Sequence, residues 1–238
     1  MGASPSLPHA APLGFRDGQL EALKWLGLAS MFTDHIGRHL LGWPEQSWAF
    51  ALGRLAFPLF AFVLGANLAR DGDRAARAGR TTVRLLGWGA VSILPSIWAR
   101  GDPQMLNVLL TLGLGAAVCW LCESRGPTAL RAVACLAIAG AANWVEFGVG
   151  GVFLVAAVYL ACSQRQPGFA LVALLLLIAT AALNGQFGGV PAFAATAAVL
   201  PLALLVRALP VAMPRWQLFF YLLYPVHLAA IGALKSMQ

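Results

Sequence analysis

Charge is what this sequence has least of. Of its 238 residues only 11% are Asp, Glu, Lys or Arg, against roughly a quarter in an ordinary water-soluble domain. Too little polar surface remains to face water all round, which excludes a conventional soluble fold. Cysteine is scarce too, and Cys119, Cys122, Cys135 and Cys162 all lie in or beside apolar runs. Cys119-x-x-Cys122 is half a zinc spacing with no second half, so small buried helix residues are expected and no metal. There is no Gly-x-Ser-x-Gly turn and no phosphate-binding glycine loop, which leaves no recognised nucleophile or P-loop chemistry. Met1 to Gln19 is polar and Pro-rich without a basic start and apolar core, so it does not read as a cleavable signal peptide. No internal repeat is visible.

Apolar residues dominate instead, at 60% of the chain, with a mean hydropathy of +0.76. They fall into nine runs, 20–41, 48–70, 81–99, 105–122, 129–145, 148–162, 168–184, 190–208 and 217–236. A membrane-crossing helix needs about 20 mostly apolar residues. The expectation is therefore an all-α, polytopic transmembrane bundle of about nine helices. It would form one domain over 20–238 after a polar N-terminal segment over 1–19. The 129–162 stretch is the weakest part, broken by Asn143 to Glu146 and Gly148 to Gly151. Frequent Gly and Pro suit helices whose neighbours satisfy freed backbone groups, and the Ala-rich 192–198 stretch suits close packing.

The net charge of +7 would suggest nucleic acid in a soluble protein. Here its distribution is topological, and no nucleic acid is expected. Arg70, Arg74, Arg77, Arg80 and Arg84 follow run two, Arg125 and Arg131 run four, Arg165 run six, and Arg207 and Arg215 run eight. The alternate links carry Glu45, the pair Arg100 and Asp102, Glu146, and then no charge. By the positive-inside rule the N-terminus is cytoplasmic and the C-terminus external.

Ionisable groups within a bilayer are costly and are functional suspects. Run one holds Lys24, Asp34, His35, Arg38 and His39, run two Arg54, and run nine His227. On the expected topology Asp34, His35 and Arg54 share the outer half, Asn107 enters from outside, and His227 lies at mid-depth. Lys24 and His35 are eleven residues apart, three turns along one helix face and roughly 16 Å along the axis, the reach of one long ligand. Asp34 is placed to pair with Arg38 or with Arg54. His35 suits a general base with a carboxylate-set tautomer, although adjacent helix residues diverge, which leaves its partner open. Each residue also has a structural alternative: Lys24 snorkelling to headgroups, Arg38 and His39 at the interface, Arg54 in a scaffold ion pair, His227 as a hydrogen-bonded core histidine.

Four segments carry a resemblance to a known family: Leu23-Lys-Trp-Leu with Met31-Phe-Thr-Asp-His-Ile36, Gly53-Arg-Leu-Ala-Phe-Pro-Leu-Phe-Ala-Phe62, Asn107-Val-Leu-Leu-Thr-Leu-Gly-Leu-Gly115, and Tyr221-Leu-Leu-Tyr-Pro-Val-His-Leu228. In these the chain resembles the TraX family of conjugative-transfer membrane proteins, which in turn is distantly similar to membrane acyltransferases. The 125–215 stretch matches only in hydropathy. The resemblance implies a multi-pass bacterial inner-membrane enzyme that acetylates the N-terminal amine of pilin, with acetyl-CoA as co-substrate. It implies contacts with the conjugative transfer machinery. His35 would be the catalytic base, oriented or tuned by Asp34. Lys24 or Arg54 would bind donor phosphate or developing charge, and Asn107, Tyr224 and His227 would complete the substrate site.

Two other readings compete. The same site would join pilin ends by transamidation, as a peptide cyclase, with Ser30 or Thr33 as a nucleophile beside His35. Alternatively the chain is a small transporter or assembly factor, with a protonatable His/Asp relay.

Overall fold

The computed structural model describes residues 12–211 and 213–238. Most of the expected polar segment, residues 1–11, lies outside them. Among the described residues every named element is a helix, and strand pairing is limited to one bridge between Leu106 and Val145. The all-α expectation holds.

Helix α1 (Asp17–His35) runs straight into a five-residue π turn, Ile36–Leu40. Next come α2 (Trp48–Gly53) and α3 (Ala56–Leu68), then α4 (Arg74–Val91) and α5 (Ile93–Arg100). Helices α6 (Val108–Glu123), α7 (Thr128–Ala141) and α8 (Gly148–Gln164) follow. The chain ends with α9 (Pro167–Ala197), α10 (Val199–Ala208) and α11 (Gln217–Lys235). Starts are set by side chains that satisfy the first free N–H groups. Ser47 accepts from Phe50, Asp73 from Ala76 and Asn107 from Leu109. Gly101, at φ 76°, ends α5 in the left-handed region, the usual glycine stop.

Two apolar runs are interrupted where hydropathy shows no break. Run 48–70 divides at Arg54 and Leu55. Run 81–99 divides at Ser92, whose hydroxyl donates to the Trp88 carbonyl at 2.7 Å, a back-bond that bends helices.

Pro167 to Ala208 is a 42-residue apolar stretch, but it is not one straight rod. Asn184 donates to Thr196 at 2.9 Å. Twelve residues of continuous helix would separate them by roughly 18 Å, so the chain reverses between them. The reversal is at Gly189, with φ 66° and ψ −159°, a conformation open essentially to glycine alone. Residues 167–208 are therefore a helical hairpin. Its near arm packs on α8, and its tip reaches α2, where Gln46 donates to the Phe187 carbonyl at 3.2 Å.

Helices approach closely at glycines, as expected where small residues let backbones meet. Gly89 of α4 receives Leu110 of α6, and Gly113 of α6 receives Leu86 of α4. Gly53 lies against the Asp34 side chain and Gly65 against Val158. Helix α7 contributes no buried residue, and Leu130, Val133 and Leu136 are exposed on it. Three helical stretches among the described residues are long and apolar enough to cross a membrane: Trp48–Leu68, Pro167–Ala208 and Leu218–Lys235. The apolar helices Val108–Glu123, Thr128–Trp144 and Gly148–Gln164 are shorter.

Candidate active site

Helix α1 spans the bundle, with charge chemistry at both its ends. At its first turns Asp17 pairs with Arg70 at 2.6 Å, and Glu21 pairs with Lys24 at 2.6 Å. Gln19, fully buried, donates to the Arg207 and Leu209 carbonyls at 2.7 and 2.9 Å and so ties α1 to the end of α10. Trp25 packs with Trp216, Phe219 and Phe220. Beside this aromatic cluster a cavity of about 390 Å³ opens between α1, α3, α4, α6 and α11.

Lys24, Arg70, Arg77, Arg80, Arg84 and Arg215 line the cavity with one carboxylate, Glu21. Arg77 donates to the Leu68, Arg70 and Asp71 carbonyls and so holds the α3–α4 turn. Five arginines at one mouth make a strong local positive field, which favours a phosphorylated or otherwise anionic ligand. Further in, the walls become apolar, with Leu28, Met31, Val63, Leu109 and Leu112, and Tyr224 also contributes.

Met31 is one helical turn before His35, and Tyr224 three residues before His227. Past this end of the cavity the two histidines meet: Nδ1 of His35 lies 2.7 Å from Nε2 of His227. The other His227 nitrogen, Nδ1, donates to the Leu223 carbonyl at 2.9 Å. The Phe32 and Tyr224 rings pack on His227 with centroids at 4.6 and 5.5 Å. The π turn begins immediately after His35 and brings the His39 ring to 5.5 Å from it. Such one-turn π segments are frequent at functional sites.

Asp34 does not serve His35. Its carboxylate accepts from the Arg54 guanidinium, while its Oδ1 is buried without a hydrogen-bond partner. Arg54 is sandwiched further, its guanidinium 4.1 Å from the Phe50 ring centroid. Residues 34 and 35 project about 100° apart on a helix, so Asp34 faces α2 while His35 faces α11. Arg38, one turn beyond Asp34, pairs with Glu45 at 3.1 Å instead. Of the two pairings open to Asp34, the one with Arg54 forms.

The remaining candidates separate. Tyr224 lies at the histidines, its ring centroid 5.5 Å from that of His227. Lys24 stands at the basic mouth, its ammonium 4.6 Å over the Phe220 ring. Asn107 is wholly buried and structural: it caps α6, and its amide donates to the Gly89 carbonyl at 2.8 Å. Ser30 and Thr33 donate to the Leu26 and Ala29 carbonyls at 2.8 and 2.9 Å, bonds within their own helix rather than to His35. Among the described residues no group of three or more His, Cys, Asp or Glu side chains is placed to hold a metal.

Sequence reasoning missed two features. Glu21 is buried between Lys24 and Arg215, although its place three residues before Lys24 was the signal available. Arg100 and Glu146 pair at 2.5 Å across the links before α6 and α8. Burial pushes the Glu146 carboxyl up, and the Arg100 and Arg54 guanidiniums pull it back. Glu146 is positioned by a hydrogen bond from its N–H to the Leu106 carbonyl, and its own carbonyl accepts from Thr111.

Comparison with known proteins gives a consistent result. The family model described as TraX protein matches residues 19–235. Protein TraX from Escherichia coli is 32% identical over 222 residues, covering 91% of this chain and 87% of that protein. Protein TraX from Escherichia coli strain K12 is 32% identical over 224 residues, with the same coverage. No solved structure matches.

Proposed function

The chain belongs to the TraX family, and from that premise we propose that it is a multi-pass inner-membrane N-acetyltransferase. In this reading it moves the acetyl group of acetyl-CoA to the N-terminal amine of a conjugative pilin. Nine membrane passages follow the nine apolar runs, with residues 167–208 crossing twice as a hairpin. The arginine-rich mouth is cytoplasmic, in keeping with the positive-inside rule, and the pilin amine arrives from the opposite side. The conjugative transfer machinery is the expected neighbour.

The observation that carries the proposal is the His35–His227 hydrogen bond at the apolar end of an arginine-lined cavity. The arginines and Lys24 suit the phosphates of a coenzyme A thioester, and the apolar neck suits its uncharged arm. Attack of an amine on a thioester needs a base and a stabilised oxyanion, but no enzyme nucleophile. His35 is that base, acting through Nε2. Tyr224 and His227 surround it, while Asp34 and Arg54 hold α1 against α2 rather than touch the reacting atoms. The hydroxyls of Ser30 and Thr33, held on their own helix, lend no support to cyclisation by an acyl-enzyme.

Intact mass of pilin from cells with and without the chain tests the reading. A gain of one acetyl mass that vanishes in His35→Ala supports transfer, and loss of one water would make the chain a peptide cyclase. An unchanged mass would sink both and turn attention to transport or assembly.

A further inference from the structure

We propose that His227 is the positioning residue of the transfer step: it fixes the tautomer of His35 and shares the proton that His35 removes from the amine. The chemistry rests on the transferase reading, whereas the tautomer rests on two hydrogen bonds.

The first bond joins Nδ1 of His227 to the Leu223 carbonyl at 2.9 Å. A carbonyl oxygen only accepts, so His227 carries its hydrogen on Nδ1. A neutral His227 then presents a lone pair at Nε2. That nitrogen lies 2.7 Å from Nδ1 of His35, so the hydrogen between the rings belongs to His35. His35 is thereby left with its lone pair at Nε2. Histidine in water favours the opposite form, with hydrogen on Nε2, so the contact reverses the ordinary preference. His227 imposes on His35 the tautomer a base needs.

The geometry suits proton sharing. The ring planes are within 8° of parallel, with centroids 5.1 Å apart. That separation matches the 2.7 Å contact plus the two distances from ring centre to nitrogen, so the bond runs nearly straight and in the plane of both rings. His227 is only 5% exposed, and Phe32 and Tyr224 hold its ring from two sides. Without His227 the Nδ1–H of His35 would lose its partner, which is costly in a buried site.

The amine nitrogen bonds to the thioester carbonyl carbon, and its proton passes to Nε2 of His35. The Nδ1 proton of His35 is then shared with Nε2 of His227, whose Nδ1–H stays on the Leu223 carbonyl. The positive charge is then spread over two rings, which weakens the desolvation penalty that a single buried imidazolium would bear. Collapse of the tetrahedral intermediate breaks the C–S bond, and the thiolate recovers the proton through the same chain. The products are the amide and the coenzyme A thiol.

Two measurements on the full chain in lipid nanodiscs test this. Nitrogen-15 NMR of histidine-labelled protein, with His35 identified by its loss in His35→Asn, should show hydrogen on Nδ1 of His35. In His227→Phe the hydrogen should move to Nε2. An unchanged His35 spectrum in that variant overturns the proposal. Kinetics with acetyl-CoA and a peptide of the pilin N-terminus provide the second readout. His227→Phe should lower kcat about 100-fold, the scale of one acid–base group, with KM for acetyl-CoA within about twofold. His227→Gln keeps an acceptor for His35 but cannot carry the proton onward, so it should hold the tautomer and lose about tenfold. Equal losses in the two variants, or a loss that lies in KM, also overturn the proposal. Failure of the transferase reading is seen separately, as no transfer by the unaltered chain, and the spectra then decide the tautomer alone.

Discussion

At one end of the bundle six cationic side chains line a cavity with a single carboxylate among them. At the other end Asp34, Glu45 and Glu146 each meet an arginine, in the pairs with Arg54, Arg38 and Arg100. Net charge alone does not separate a binding site from a scaffold here, because both ends are rich in arginine. What separates them is whether the protein supplies the counter-charge itself. The end with Asp34, Glu45 and Glu146 is internally neutralised, and its pairs lock α1 to α2 and the α5 end to the loop before α8. The cavity end carries an excess of positive charge that a soluble anion would complete. Even there the work is divided, since Arg70 and Arg77 secure the α3–α4 turn through Asp17, Asn67 and backbone carbonyls. Arg80 and Arg84, on the exposed side of α4, remain as the residues best placed to meet a ligand.

The largest effect on stability is expected at Arg54. Arg54→Leu leaves the Asp34 carboxylate buried without its cation, and loss of one partner of such a pair costs about 3 kcal/mol or more. Unfolding in mixed micelles should show that loss, and adding Asp34→Leu should restore most of it. A single variant with unchanged stability would mean that these pairs are not the scaffold. Gly53→Ala should act on the same joint by crowding. A Cβ there would lie 2.3 Å from Cβ of Asp34, a contact that only helix displacement can relieve. An overpacked core site costs roughly 1–3 kcal/mol, and the same unfolding measurement reads it. Tolerance of alanine there would show that α1 and α2 are not locked.

Much of this was legible in the sequence, and the failures are instructive. The helical stretches follow the hydrophobic runs because composition alone requires it: an apolar segment must satisfy its backbone internally. Breaks at Arg54 and Ser92 were hidden because hydropathy averages over single residues. The basic mouth was visible as a cluster of arginines in one link. That α4 turns those arginines into a cavity depends on how it packs on α6 and faces α11, which no one-dimensional pattern carries. His35 stood out as an imidazole in an apolar run, yet its neighbour in sequence was the wrong partner. Helical geometry turns Asp34 away by about 100°, and the true partner lies 192 residues on. Asn107 was polar and is buried, but its hydrogen bonds cap α6 and tie it to the Gly89 carbonyl of α4. Sequence shows which polar groups are expensive, while tertiary contact decides which of them are satisfied by the scaffold.

The opposite end responds to charge removal in affinity rather than stability. Arg80→Gln and Arg84→Gln remove cations from the mouth without orphaning a buried carboxylate. Each should raise KM for acetyl-CoA about tenfold, equivalent to about 1.4 kcal/mol, with kcat within about twofold. Stability should change by no more than about 0.5 kcal/mol, as for other surface substitutions. Added salt should weaken donor binding by the unaltered chain more than by the double variant, because fewer charges then remain to be screened. Unchanged KM in both variants would remove the cavity mouth from the donor site.

The smallest effect tests whether burial, rather than pairing as such, governs the neutralised end. Arg38 and Glu45 lie 3.1 Å apart, with side chains 29% and 40% exposed, against 13% and 6% for Arg54 and Asp34. Water screens the more exposed pair and already solvates its partners, so such pairs contribute about 0–1 kcal/mol. Glu45→Gln should therefore destabilise by roughly 0.5 kcal/mol at low ionic strength, a loss that fades as salt is raised. The buried pair should show almost no such salt dependence. A Glu45→Gln loss as large as that of Arg54→Leu would mean that every ion pair at this end is equally a scaffold element. A graded response would instead place the lock at Asp34 and Arg54, one residue from His35, where a displacement of α1 would also move the His35 ring.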